Sequence, residues 1–138
     1  MRILRELQKL LIDAGYEDTK LVIDRQSNED DLDASERCLL YSDANFLIFT
    51  HRGMRHGLID ELSFIAQDAR MHGRILRCKV FDQIRNRRSA IPRLSMGRVE
   101  RRRIPRRSFH TIPELKDAIV REAFWHLRDM RTDLTGRL

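Results

Sequence analysis

Cysteine, proline and tryptophan are scarce in this sequence, and it has no long apolar run. The two cysteines, Cys38 and Cys78, fit neither a zinc-binding spacing nor a redox pair, so we expect two small buried side chains. No apolar run approaches the roughly 20 residues of a membrane-spanning helix. The N-terminal segment carries Glu6 and Lys9 inside its apolar pattern, which excludes a secretory signal. We therefore expect a cytoplasmic protein that has no membrane partner.

The length of 138 residues suits a single domain over 1–138. A chain of this length buries roughly two-thirds of its unfolded surface, which is enough for a real hydrophobic core. Hydrophobic residues make up 41% and charged residues 35%, so a globular protein with a dense ionic surface is predicted.

Charge is distributed unevenly along the chain. Residues 1–46 hold 6 basic and 11 acidic side chains, a net −5, whereas residues 47–138 hold 21 and 10, a net +11, which together give the +6 of the chain. The densest basic stretch, 74–107, holds 13 basic residues against Asp82 and Glu100. This asymmetry favours an anionic partner, either a nucleotide phosphate or a nucleic acid. It equally fits attraction between acidic and basic parts of one fold, or of two subunits.

Apolar spacing predicts helices and strands that alternate along the chain. The predicted helices cover 2–14, 30–42, 58–71 and 111–130, and the predicted strands cover 20–24, 44–50, 75–81 and 98–105. Gly15 is expected to end the first helix, Thr111 to cap the last, and 82–97 to be irregular. Such alternation is typical of an α/β fold, here a small, mostly parallel sheet of about four strands flanked by helices.

Ligands of such sheets bind at the carboxyl ends of the strands. The loop HRGMRHG, residues 51–57, follows the most apolar predicted strand and precedes a predicted helix. Its glycines allow tight turning, and the helix N-terminus and two arginines suit an anion. The predicted ligand-binding residues are Arg52, Gly53, Arg55, His56 and Gly57. Glu61 lies about one turn into the helix and is expected to reach the same crevice.

The segment SDANFLIFTHRGMRHGLIDEL, residues 42–62, resembles the central segment of nucleoside 2-deoxyribosyltransferase-like proteins and, more loosely, that of TIR-like domains. These families place an apolar strand, a short loop and Gly-x-x-x-Glu before a helix, which Gly57 and Glu61 match here. Asp43, before the strand, matches an acidic position that is common in the family. The closing segment SFHTIPELKDAI, residues 108–119, also resembles the family's short strand leading into a helix.

The resemblance implies a flavodoxin-like sheet and cleavage of the N-glycosidic bond of a nucleoside or of NAD. Glu61 is then the carboxylate that acts on the sugar, with no separate cofactor. The chain departs from the family in starting with a predicted helix where the family has its first strand. Either the sequence starts late, or the sheet is rebuilt without that strand, or the chain is unrelated to the family. It also carries arginine and histidine where the enzymes often carry acidic groups, so enzyme activity is left open and the ligand is a nucleotide or a nucleoside.

Each site residue also has a simpler interpretation. Glu61 could be an exposed carboxylate or an ion-pair partner of Arg55 or Arg70. His51 and His56 could be polar loop residues, since two histidines without a third ligand make a poor metal site, and no metal is predicted. Neither a serine nucleophile motif nor a Walker loop is present.

Two other functions stay open at this stage. One is a nucleic-acid-binding protein that uses the arginine-rich region, with Arg87, Arg88, Arg101, Arg102, Arg103, Arg106 and Arg107 as its contacts. The other is a homo-oligomeric assembly module, a dimer in its simplest form, in which a second chain covers the sheet edge exposed by the lacking strand.

Overall fold

The computed structural model describes residues 2–19, 21, 31–52 and 56–136. The helices are α1 (Arg2–Asp13), α2 (Asp31–Tyr41), α3 (His56–Gln67), α4 (Arg93–Arg102) and α5 (Ile112–Gly136), and a 3-10 helix covers Ala69–Arg77. The strands are β1 (Asn45–Phe49), β2 (Cys78–Arg85), β3 (Arg88–Ser89) and β4 (Arg106–Phe109). The strand predicted at 20–24 lies outside the described residues except for Leu21. None of the helices in the described ranges has the length and apolar character needed to cross a membrane.

The four strands form one mostly parallel sheet around β2. β1 and β4 both run parallel to β2 and pair with overlapping parts of it, so they lie on its two opposite edges. β3 is antiparallel and returns along the end of β2 as the second strand of a short hairpin. This sheet confirms the predicted α/β class and is consistent with a flavodoxin-like fold.

Helices cover both faces of the sheet because side chains alternate along each strand. Val80 of β2 belongs to one buried cluster and its neighbour Phe81 belongs to the other. The first cluster joins the strands to side chains of α2, α3 and α4, and the second joins them to side chains of α1 and α5. The core is therefore split into two apolar layers by the sheet, as in doubly wound proteins.

Two helix ends match their sequence signals. Gly15 follows α1 with a φ of +106°, and its amide donates to the Ile12 carbonyl, as a helix C-terminal glycine does. At the other end of the chain, the Glu114 amide donates to the Thr111 hydroxyl over 3.3 Å, and Oε2 of Glu114 accepts from the His110 amide over 2.9 Å. This reciprocal arrangement satisfies the Glu114 amide in the first turn of α5 and the His110 amide just before the helix.

The strand predicted at 98–105 is wrong, because this region forms α4 and the strand follows it as β4. Ser95 and Val99 are buried one helical turn apart, so one face of α4 packs against the core. The apolar residues do not reveal this helical period, because the buried Ser95 is polar and the apolar Leu94 is exposed. Arg103 ends the helix in a left-handed conformation with a φ of 54°, and the Pro105 carbonyl then accepts from the Val80 amide as the chain enters β4.

The predicted boundaries of the third helix and the following strand are also wrong. The helix ends at Gln67 because the Asp68 side chain accepts from the Arg70 amide and starts the 3-10 helix. β2 consequently begins at Cys78 and continues through Asp82 and Gln83, which were predicted to lie in an irregular segment. The sheet thus has the expected four strands, but only two of them coincide with predicted ones.

Candidate binding cleft at the edge of the sheet

A cleft of about 630 Å³ runs along the edge of β1 that faces away from β2. No strand of the described residues pairs with this edge. Side chains of α1 and α5 line the cleft on one face of the sheet, and the end of α2 together with Glu61 lines it on the other. The volume falls in the range of small-molecule sites, which is roughly 300 to 1,000 Å³. The edge of a strand also offers backbone donors and acceptors to a ligand.

Glu61 lies on α3 and lines this cleft. Its Oε1 accepts a hydrogen bond from the Ser35 hydroxyl of α2 over 3.3 Å. Burial raises the pKa of the Glu61 carboxyl to about 7, which the Ser35 hydrogen bond opposes and the charge of Asp60 reinforces. At neutral pH the group therefore occurs in both its protonated and its charged form, which suits acid–base chemistry.

The lining of the cleft is acidic. Besides Glu61, it includes Glu17, Asp18 and Asp43, and its described part includes no lysine or arginine. The other polar contributions come from side chains such as Gln8 and Asn45, and both are hydrogen-bonded to backbone carbonyls. A negatively charged ligand is disfavoured in such surroundings, whereas hydroxyl groups find acceptors in the carboxylates.

The structure separates Glu61 from part of the loop predicted to join it. Arg52 is exposed after β1, and Gly57 is exposed in the first turn of α3, and neither lines the cleft that Glu61 lines. Gly53 and Arg55 lie outside the described residues. His56 begins α3, and its side chain likewise lies outside the description. Their roles in binding stay predictions.

The structure also bears on the simpler interpretations of Glu61 and His51. Glu61 is half-buried, so it is not an exposed carboxylate. Arg70, one of its two suggested ion-pair partners, pairs instead with Asp68 at 2.9 Å. His51 places its Nε2 at 3.0 Å from the Arg88 carbonyl, so it is a polar side chain that ties β1 to the hairpin. Among the described residues, no group of three His, Cys, Asp or Glu side chains is arranged to hold a metal ion.

The arginines of the alternative nucleic-acid site lie in three different places. Arg87 and Arg88 are exposed in the hairpin between β2 and β3, whereas Arg101, Arg102 and Arg103 are exposed at the far end of α4. The third place is β4, where Arg106 and Arg107 each lie close to an acidic side chain. Arg106 lies 3.8 Å from the buried Asp82, and Arg107 lies 3.0 Å from Glu122.

Sequence reasoning missed Ser35 as a partner of the candidate carboxylate. Ser35 is 26 positions before Glu61, and only the packing of α2 against α3 brings them together. The available signal was that Ser35, Cys38 and Leu39 recur at the spacing of one helical face. Asp43 was singled out by the resemblance, and it lines the same cleft as Glu61.

The two cysteines differ in their surroundings. Cys78 is 1% exposed and burial raises the pKa of its thiol to about 11, so it is a buried apolar side chain as predicted. Cys38 is half-buried and lines the cleft.

Comparisons of this chain with protein-family models, with curated proteins and with solved structures find no match.

Proposed function

We propose that the cleft along β1 binds a nucleoside and that Glu61 acts on its N-glycosidic bond. The observation that carries this proposal is the position of Glu61, a carboxyl group with a pKa of about 7, on the wall of a cleft of about 630 Å³. The resemblance of residues 42–62 to nucleoside 2-deoxyribosyltransferase-like and TIR-like proteins supports the same assignment, since Glu61 occupies the position of their glutamate.

The charge of the cleft favours an uncharged nucleoside over a nucleotide or NAD. Asp18 and Asp43 offer carboxylate oxygens that accept hydrogen bonds from sugar hydroxyls. A phosphate group in the same space meets several carboxylates and, among the described lining residues, no basic side chain. Phosphorylated ligands are therefore expected to bind less tightly than the corresponding nucleosides.

In the proposed reaction, the bond between the sugar C1′ and the base nitrogen breaks, and the base leaves with the electron pair. The charged form of Glu61 stabilises the positive charge that develops on the sugar, as carboxylates do in glycoside hydrolysis. In hydrolysis, water then attacks C1′ and releases one proton, and in transfer a second base attacks C1′ through a ring nitrogen that releases its proton. The departing base takes up a proton, so the products of hydrolysis are the free sugar and the free base.

The test is release of free base from a panel of nucleosides, nucleotides and NAD, followed by chromatography, for the wild-type chain, Glu61→Gln and Glu100→Gln. Glu100 makes a matched control because it is an exposed glutamate on α4 that does not line the cleft. We expect Glu61→Gln to lower the rate on the order of 100-fold or more and Glu100→Gln to leave it unchanged. Unchanged release by Glu61→Gln, or no release from any compound by the wild type, overturns the assignment of catalysis.

Binding without catalysis is tested separately by the thermal shift that each compound produces. A nucleoside that stabilises the wild type but not Glu61→Gln places the ligand in this cleft even when no bond is broken. A panel in which no compound raises the melting temperature contradicts the proposal as a whole.

A further inference from the structure

The hairpin between β2 and β3 places two arginines directly opposite each other. Arg85 of β2 pairs with Arg88 of β3 in the antiparallel register, and Asn86 and Arg87 form the two-residue turn between them. Both turn residues have positive φ values, 51° and 63°, as in the tight turns that match the twist of a hairpin. Like charges at directly opposite positions destabilise a pair of strands. The hairpin therefore forms in spite of the electrostatic repulsion between Arg85 and Arg88.

Within the described part of the chain, no acidic side chain offsets the repulsion between Arg85 and Arg88. Arg85, Arg87 and Arg88 are exposed, and none of them forms an ion pair or a side-chain hydrogen bond with a described residue. Arg106 and Arg107, by contrast, lie against Asp82 and Glu122. The charge of the hairpin is thus open to an external anion, whereas the charge of β4 is already engaged.

The base of the hairpin is fixed to the core. Asp82 is fully buried and accepts hydrogen bonds from the Ser89 hydroxyl over 2.6 Å and from the Ala90 amide over 2.8 Å. His51 contacts the Arg88 carbonyl over 3.0 Å, so the residue after it, the exposed Arg52, lies beside the hairpin. The hairpin therefore presents its arginines from an ordered support.

We propose that Arg52, Arg85, Arg87 and Arg88, here called the hairpin arginines, bind the phosphate backbone of a nucleic acid. A phosphate placed between Arg85 and Arg88 replaces their repulsion by two attractive contacts, and guanidinium groups suit phosphate oxygens through paired hydrogen bonds. The turn from Arg85 to Arg88 contains no apolar side chain to insert into a bilayer, which favours a polyanion over a membrane surface. This surface is separate from the cleft, because none of the four arginines lines it.

The test measures binding of a short fluorescein-labelled DNA duplex, by anisotropy, as a function of salt. Four phosphate contacts predict a slope of log K against log salt of about −3.6, so affinity falls on the order of 100-fold between about 50 mM and about 200 mM salt. The double variant Arg85→Gln with Arg88→Gln is expected to reduce the slope by about two, which leaves only about a tenfold fall over the same range.

The matched control is Arg101→Gln with Arg102→Gln, which removes the same charge from the far end of α4, about 15 Å along the helix from its start. We expect this control to keep the wild-type slope, and both variants to melt as cooperatively as the wild type. Equal losses in the two double variants overturn the proposal, because they indicate diffuse attraction by net charge. Absence of duplex binding overturns it as well, whether or not the chain sediments with anionic vesicles in a parallel assay.

Discussion

The Ser35 hydroxyl of α2 donates a hydrogen bond to Oε1 of Glu61 on α3 over 3.3 Å. This contact joins two helices that pack on the same face of the sheet, and its acceptor residue, Glu61, lines the cleft along β1. One donor does not compensate the charged carboxylate for its burial, since the pKa of Glu61 still rises to about 7. The contact therefore adjusts the protonation of Glu61 without fixing it in one state.

Replacement of Ser35 by alanine is expected to raise the pKa of Glu61 above 7, because it removes a hydrogen bond that favours the charged form. Carbon-detected NMR titration of the glutamate carboxyl groups measures this change directly. Ser63→Ala is the matched control, since Ser63 lies on the same helix but is bonded to Arg98. A titration midpoint of Glu61 that is unchanged or lower in Ser35→Ala contradicts the assigned role of the hydroxyl.

The raised pKa of Glu61 also predicts how stability depends on pH. The folded protein binds this proton up to a pH of about 7, whereas the unfolded chain releases it near 4.5, so the folded state loses stability as pH rises through this window. Glu61→Gln removes that loss. We expect the variant to gain about 2 kcal/mol relative to the wild type between the two ends of the window, after a discount for the solvent that reaches this half-buried group.

Urea unfolding of both proteins at pH 4.5 and at pH 8 measures this difference. The variant is expected to differ least from the wild type at the lower pH and to be the more stable protein at the higher one. A constant difference between the two proteins across this range shows that Glu61 titrates with an ordinary pKa in the folded chain.

Apolar spacing predicted the fold class because burial in a sheet or helix leaves a period in the sequence. It succeeded for β1, where each strand face is covered by apolar side chains, and for α5, where a capping residue marks the start. It failed for α4, because Ser95 and Val99 are the buried positions of this helix, one of them is polar, and Leu94 is exposed, so the apolar residues do not show the helical period.

The end of β2 was missed for a different physical reason. Asp82 is fully buried and Gln83 is 7% exposed, although both are polar. Their burial is tolerated because Asp82 accepts from Ser89 and Ala90, while Gln83 accepts from the His51 amide over 3.0 Å. Such partners are set by tertiary packing, so residue type alone predicted a loop.

In the candidate site, too, local sequence patterns predicted one residue, whereas the residues brought together by tertiary packing were missed. Glu61 was singled out from the sequence because a strand, a loop and Gly-x-x-x-Glu lie close together along the chain. The acids of the cleft and Ser35 come from segments distant in sequence, and no local pattern predicts that they meet.

Asp82 is expected to be the polar residue whose removal costs the most stability. Asp82→Ala removes the acceptor of the Ser89 hydroxyl, one of the two acceptors of the Ala90 amide, and the acid beside Arg106, so we expect a loss of about 3 kcal/mol in the free energy of unfolding. Asp117→Ala is the control, because its pair with Arg121 is exposed on α5 and is worth less than about 1 kcal/mol. Urea unfolding distinguishes the two, and similar small losses for both variants contradict the structural role of Asp82.

A substitution at the opposed pair Arg85 and Arg88 is expected to change the stability of the fold and the affinity for a duplex in opposite directions. Arg88→Glu converts the like-charged pair with Arg85 into an opposite-charged pair, so we expect the fold to gain about 0.5 kcal/mol at low salt. The same change places a negative charge where a phosphate is proposed to bind, and duplex affinity is expected to fall more than in Arg88→Gln. Thermal unfolding and anisotropy on one preparation measure both effects. A variant that loses affinity together with stability contradicts this account, because binding then depends on the fold of the hairpin and not on its charge.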